Sequence, residues 1–360
     1  MCPIAPQPGI MEIALYQGGA SALPGRAEVL KLSSNENPLG PPLSAQAAIR
    51  AAADKVHLYP DTDHAPLRAA IGQVHGLDPE RIICGVGSDE VLQFVTQAYA
   101  GPGDEIIHTE HGFSMYPVLI HMAGATPVRV PEAARVVDVD AILGAVTDRT
   151  RIVLLTNPGN PTGTILPDAE LQRLADGLPG DVILVIDAAY AEYAEGYDGG
   201  AALAGSRDNV LMTRTFSKIY GLGGLRIGWG HGPRALIEVM TRIRQPFNLS
   251  ALQMQAAEAA VRDRDWIARC TALNAAQRAR LTGALRQLGI ACDDSATNFV
   301  LARFADAEEA GTADDALRAE GILVRRVTGY GFPEALRITV GDDAQTGRVI
   351  AALTRFREGG

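Results

Sequence analysis

Cysteine is scarce. Four occur in 360 residues (Cys2, Cys84, Cys270 and Cys292), with no Cys-x-x-Cys pair and no regular spacing. That pattern argues against a disulfide framework or a structural zinc site, so no metal is expected and a reducing, cytoplasmic setting is. Long apolar runs are missing as well. No stretch of 18 apolar residues could form a membrane-spanning helix. The opening "MCPIAPQPGIMEIALYQGG" has neither the basic start nor the apolar middle of a signal peptide. Positive charge is in deficit, with 32 Lys and Arg against 42 Asp and Glu and a net charge of -10. A nucleic-acid partner demands a basic surface, so that class is disfavoured, while a few arginines in a cleft can still hold a small anion.

What is present is ordinary globular protein, 47% hydrophobic and 21% charged. The length suits a large domain plus a smaller one. Residues 1–43 are rich in Pro, Gly and Ser and read as an irregular arm and part of the small domain. Residues 44–250 read as the large domain and 251–360 as the small C-terminal one. An Ala-rich helix, "LSAQAAIRAAADKV", ends near Pro60. Apolar strands follow in "RIICGVG", "DEIIHTE", "RIVLLTNP", "DVILVID" and "NVLMTRT", with helices such as "SDEVLQFVTQAYA" and "PDAELQRLADGL" among them. Continuous apolar runs, without period-2 alternation, suit strands buried on both faces of a parallel sheet. The fold class predicted is therefore α/β, a three-layer and mostly parallel sheet, with a smaller α+β domain built from a long helical segment after 250 and the strands "NFVLARF" and "LRITVG".

Ligands in such sheets sit at the C-terminal ends of the strands. Four groups fall there: Gly87-Ser88-Asp89, the turn "NPGNPTG", Asp187 with Tyr190, and Thr215 to Lys218. The stretch "TFSKIYGLGGLRIGWG" places Lys218 among small and apolar neighbours, where burial depresses an amine toward its reactive neutral form. It is no phosphate-binding P-loop, since no glycine precedes the lysine at the required spacing and no Ser or Thr follows it. A lysine that bonds covalently to a carbonyl compound remains. Pyridoxal 5′-phosphate makes further demands: a carboxylate for its ring nitrogen, donors for its phenolate oxygen, and amides, hydroxyls and a cation for its phosphate. Asp187 suits the first, Tyr190 and Asn160 the second. Gly87, Ser88, Asp89, Thr215, Ser217 and Arg226 suit the third, and Phe113 is a candidate to stack on the ring.

The ordered series "GSDE", "NPGNPTG", "DAAY" and "TFSKIYGLGGLRIGW" resembles the pyridoxal-phosphate-dependent aminotransferases of the aspartate aminotransferase superfamily. Within it, "KLSSNENPLGP", "YPD" and "VRRVTGYGFPEALRITVG" are similar to the patterns of the histidinol-phosphate aminotransferases. The resemblance implies fold type I and a homodimer with shared sites, in which Tyr59 reaches the phosphate of the neighbouring subunit's cofactor. Lys218 would hold the cofactor and shuttle a proton. Arg337 and Arg325 would read the substrate phosphate, with Asn37 and Tyr16 as further substrate contacts. Which of Arg325 and Arg326 points inward is left open by the sequence. The implied reaction passes the amino group of L-histidinol phosphate to 2-oxoglutarate in histidine biosynthesis. An aromatic amino-acid aminotransferase and a threonine-phosphate decarboxylase-like lyase are the rivals. One departure stands out. Many relatives carry Pro-Thr before the stacking aromatic, whereas this chain has His111-Gly112, which puts substrate breadth in question.

Overall fold

The structure, a computed structural model, describes residues 4, 6, 8–15, 18–26 and 28–359. Its central sheet has seven strands in the order Ile82–Gly85, Gly228–His231, Val210–Thr215, Ile183–Asp187, Thr150–Thr156, Glu105–Thr109 and Thr126–Val130. All neighbours run parallel except Gly228–His231, which is antiparallel to both of its partners. The five strands expected from the sequence are present. The two others were not legible as strands: "GWGH" lies hidden in the glycine-rich stretch, and "TPVRV" is half exposed and carries a proline.

Why the strands read as unbroken apolar runs is visible in the packing. Ile183 and Val185 enter one core, Leu184 and Ile186 the other. Successive side chains point to opposite faces of a strand, so both faces must be covered. The helices Ser88–Tyr99, Met115–Ala123 and Arg234–Ile243 cover one face, and Asp168–Gly177 and Ala251–Arg262 pack on the other.

A second core surrounds a three-stranded antiparallel sheet ordered Phe299–Arg303, Phe332–Thr339, Arg325–Val327. The helices Ala307–Ala319 and Asp343–Arg357 contribute Ala313, Leu317, Val349 and Leu353 to it. The arm joins this unit: Leu30–Lys31 pairs in parallel with Ile322–Leu323, and Leu30 and Leu32 are buried there. At the other boundary the packing differs from the expected division at 250. The helix Ala251–Arg262 buries Ala256, Ala257, Ala260 and Val261 in the first core. The next helix, Arg264–Gln287, starts at Asp263, whose side chain accepts from Trp266 N. It delivers Cys270 to the first core and Leu281 and Leu285 to the second. One long helix thus contributes to both cores.

Candidate active site

The ends of adjacent strands converge. Thr156 closes one strand, Asp187 the next, and these two are register partners; Thr215 closes the strand beyond. Above them lies a cavity of about 160 Å³ lined by Ser88, Asp89, Phe113, Asn160, Asp187, Tyr190, Thr215, Ser217, Lys218, Arg226, Arg325 and Arg337. Twelve of the residues singled out in the sequence are thereby brought to one place. Gly87 sits just outside as the residue preceding the helix Ser88–Tyr99.

Lys218 Nζ lies 5.8 Å from the centroid of the Tyr190 ring. Burial, then the positive charge of Arg337, pulls its amine down from 10.5 to about 8. Asp187 shows the opposite displacement. Burial first, then the Asp89 carboxylate, raises it from 3.8 to about 7. Tyr116 donates to Asp187 Oδ2 at 3.3 Å and Thr213 to Oδ1 at 3.4 Å. Neither neighbour is cationic, so a cation placed against Asp187 would stabilise its ionised form. Burial also pushes the Tyr190 hydroxyl well up, and Asn35 Nδ2 donates to it at 2.9 Å.

One end of the cavity suits an anion. The helix Ser88–Tyr99 begins there with a glycine, Gly87, at its N-cap, so no N-cap side chain occupies its first-turn amides. Arg226 donates to Ser217 Oγ at 3.1 Å and pairs with Asp89 at 3.0 Å. Thr215 Oγ1 accepts from Ser217 N at 3.0 Å. Two glycines let backbone approach backbone around this cradle. A Cβ on Gly228 would fall 2.1 Å from Ser88 N, and one on Gly221 would fall 2.2 Å from Gly40 O.

The opposite end holds the two arginines. Arg325 and Arg337 are register partners across an antiparallel hairpin, so both leave the same face and both line the cavity. Arg326 stands opposite Leu336, leaves the other face and is exposed. That settles which of the adjacent pair points inward. Arg337 is 6% exposed, donates to Asn160 Oδ1 at 2.6 Å and to Ser33 O at 3.1 Å, and among the described residues its Nε has no partner.

Two expected residues stand elsewhere. Asn37 is not in the cavity; it donates to Ile219 O at 2.7 Å and to Cys270 Sγ at 3.2 Å, bracing the lysine loop from behind. Asn35, two positions earlier in the same "SSNENP" run, occupies the cavity instead. Tyr59 is 84% exposed and does not line the cavity of its own chain; it packs against Phe247 at 4.7 Å between ring centroids. Tyr16 lies outside the described residues. The sequence reading also missed Tyr116, Thr156, Thr213, Ser33 and Tyr330. Thr213 could have been found from strand alternation, since it shares a face with Thr215.

The residues fit the cofactor that the resemblance implies. Asp187 lacks a cation, Lys218 is held toward neutrality, and uncapped helix amides, hydroxyls and Arg226 form an anion cradle at the far end. These suit the ring nitrogen, the aldehyde and the phosphate of pyridoxal 5′-phosphate, and the Tyr190 hydroxyl and Asn160 amide are available to its phenolate oxygen.

The comparisons agree with this geometry. The family "Aminotransferase class I and II" matches residues 27–353. The histidinol-phosphate aminotransferase of Ruegeria pomeroyi is 67% identical over 358 residues, covering 99% of each chain. That of Dinoroseobacter shibae is 61% identical over 357 residues, again with 99% coverage of both. Among solved structures, the histidinol-phosphate aminotransferase of Sinorhizobium meliloti in complex with pyridoxal-5′-phosphate superposes with a TM-score of 0.90 at 29% identity, covering 100% of this chain and 98% of that one. By cavity, fold and relatives alike, the chain belongs to the histidinol-phosphate aminotransferases, within the class I and II aminotransferases.

Proposed function

We propose that the protein binds pyridoxal 5′-phosphate and transfers the amino group of L-histidinol phosphate to 2-oxoglutarate, giving imidazole acetol phosphate and glutamate. The observation that carries this reading is the pair Arg325 and Arg337, opposite each other in one hairpin and facing Lys218 across the cavity. A phosphate monoester on the donor offers several acceptor oxygens to two guanidiniums, and guanidinium–phosphate bonds are among the strong ones.

When bound, the cofactor supplies an aldehyde for the lysine and a ring that withdraws electrons from the donor's α-carbon. The chain's own groups do the rest. Lys218, neutral over an accessible pH range, would hold the cofactor through its amine and would carry the donor's α-proton on Nζ. Asp187 would pair with the ring nitrogen. Tyr190 and Asn160 would donate to the phenolate oxygen and Phe113 would pack against the ring. Ser88, Asp89 through its backbone, Thr215, Ser217 and Arg226 would hold the cofactor phosphate, and Gly87 lets the helix begin beside it.

The working unit is inferred to be a homodimer. Val56, Leu58, Tyr59, Ile243 and Phe247 are between 42% and 84% exposed and lie in the two segments on either side of the Tyr59–Phe247 contact. An apolar surface of this kind fits burial against a second copy, with Tyr59 reaching that copy's cofactor phosphate. The division into large and small units falls within the helix Arg264–Gln287. Among the described residues no helix is long and apolar enough to cross a membrane. Cys84, Cys270 and Cys292 are free thiols, which suits a cytoplasmic setting.

The test is a stopped assay of the holo-protein with 2-oxoglutarate, comparing L-histidinol phosphate with L-phenylalanine as donors. A strong preference for the phosphate ester is expected. Equal or reversed preference would mean that the arginines read carboxylate and that the enzyme is an aromatic aminotransferase.

A further inference from the structure

The pair His111-Gly112 is where this chain departs from many of its relatives, and neither residue lines the cavity that holds Lys218. Gly112 has a local reason. A Cβ there would stand 3.1 Å from Thr109 O and 3.3 Å from the Tyr116 ring, so glycine lets the turn after the strand Glu105–Thr109 close without pushing either neighbour aside. His111 has no such local reason. Its side chain crosses from the large unit to the small one.

Its ring Nδ1 lies 2.7 Å from Tyr330 O. A carbonyl oxygen only accepts, so Nδ1 carries the hydrogen and the tautomer is fixed by the partner. The ring also packs on Phe332 at 4.0 Å between centroids. Nε2 faces the Glu110 carboxylate at 3.6 Å. Three residues along, Ser114 Oγ meets Tyr330 OH at 3.0 Å. The large-unit loop 111–114 therefore grips Tyr330 at both its backbone and its hydroxyl.

What it grips is the bend of the arginine hairpin. Arg325–Val327 is one strand, Thr328–Tyr330 the single helical turn, and Phe332–Thr339 the other strand, carrying Arg337. The chain reverses there through Gly331 at φ 87°. We propose that His111 is a positioning residue for the amino donor: by holding Tyr330 O and Phe332 it fixes the arginine hairpin against the large unit, and so sets where Arg325 and Arg337 meet the donor's anionic group. His111 itself lies outside the lining of the cavity that holds Lys218. This inference rests on the reading of those arginines given above.

A residue acting in this way governs the donor's KM and leaves the cofactor end unchanged. The experiment contrasts His111→Asn with His111→Gln, with His111→Ala as reference. An asparagine amide nitrogen overlays the position of Nδ1 and can still donate to Tyr330 O, whereas the glutamine amide extends toward the Nε2 side. The expected result in the holoenzyme is a donor KM raised about five- to tenfold for Ala and Gln, the scale of one lost hydrogen bond with its packing, and near wild type for Asn. kcat and the absorbance of the resting enzyme stay within about twofold, since no contact to Lys218 or the phosphate cradle is lost. Three results would overturn the proposal: KM unchanged in all three variants, a fall in kcat alone, or Asn and Gln behaving alike. If Ala fails to fold, the Asn and Gln pair still decides. If the wild type ignores histidinol phosphate, it is the functional reading that fails, and the same KM contrast is read with whichever amino donor the wild type accepts.

Discussion

Arg337, on the small unit's hairpin, donates to Asn160 Oδ1 at 2.6 Å, and Asn160 belongs to the large unit's "NPGNPTG" turn. The substrate's proposed anchor and the cofactor's proposed donor are one hydrogen-bonded pair. Their losses should therefore not add. In a double-mutant cycle of Arg337→Ala and Asn160→Ala, kcat/KM for the donor should show a coupling of about 1–3 kcal/mol. Strict additivity would mean the two groups act separately.

Arg325 and Arg326 are neighbours in sequence with opposite fates. Arg325→Leu should lower kcat/KM for a phosphate-bearing donor by roughly 10- to 100-fold, the loss of about 1.5–3 kcal/mol for a charge-assisted bond. Arg326→Leu should change it by less than about twofold, since an exposed side chain on the far face contributes little. Steady-state kinetics on the two variants decides it.

Lys218 titrates near 8 in the cofactor-free protein because of burial and then Arg337. Its neutral amine is the reactive form, so the rate at which added cofactor bonds to the protein should rise with pH through about 8 and level off above it. A rate still climbing beyond pH 10 would show an ordinary solvated lysine. The same shift has a stability sign. Between about 8 and 10.5 the folded protein has released a proton that the unfolded chain retains. This group therefore makes the cofactor-free protein more stable as pH rises through that window.

Asp187 works in the other direction. Its carboxyl is raised from 3.8 to about 7, chiefly by burial and then by Asp89. Between those values the folded cofactor-free protein keeps a proton that the unfolded chain has lost, so stability falls as pH rises, and the full cost is felt above 7. Asp187→Asn removes that cost. Thermal denaturation at pH 8 should show the cofactor-free variant melting a few degrees higher than wild type. Cofactor affinity should fall by roughly 10- to 100-fold, as a charge-assisted bond to the ring nitrogen is lost. A variant that binds cofactor as well as wild type would remove Asp187 from the site.

Tyr59 offers a test of shared sites. Tyr59→Ala and Lys218→Ala chains should each be nearly inactive. Unfolded, mixed and refolded together in equal amounts, they should regain about a quarter of wild-type activity, because half the dimers are mixed and each holds one intact site. No recovery would mean that Tyr59 serves its own chain or none.

Much of this was legible in the sequence, for physical reasons. Strands such as "DVILVID" are buried on both faces and so are apolar throughout, and a lone Asp187 at the end of one stands out. The lysine stretch is legible because its glycines are placed by backbone crowding at Gly221 and Gly228. The illegible parts depend on partners remote in sequence. Asn37 and Asn35 differ only in what faces them: Ile219 and Cys270 for one, Tyr190 for the other. Arg325 and Arg326 were separable only by register with Arg337 and Leu336. Tyr116 reaches Asp187 from the first turn of a helix, behind the aromatic that drew attention.

The two glycines have a consequence for how such an enzyme can change. A methyl group at 228 or 221 would meet backbone atoms at little more than a covalent bond length's remove, and backbone cannot repack as side chains do. The cofactor end is thus closed to gradual remodelling, one substitution at a time. The hairpin end is bounded by side chains, Arg325, Tyr330 and Phe332 among them, whose shapes can be traded singly. New donor preferences in this scaffold should therefore arise by drift at the hairpin, while the lysine and phosphate end is inherited unaltered.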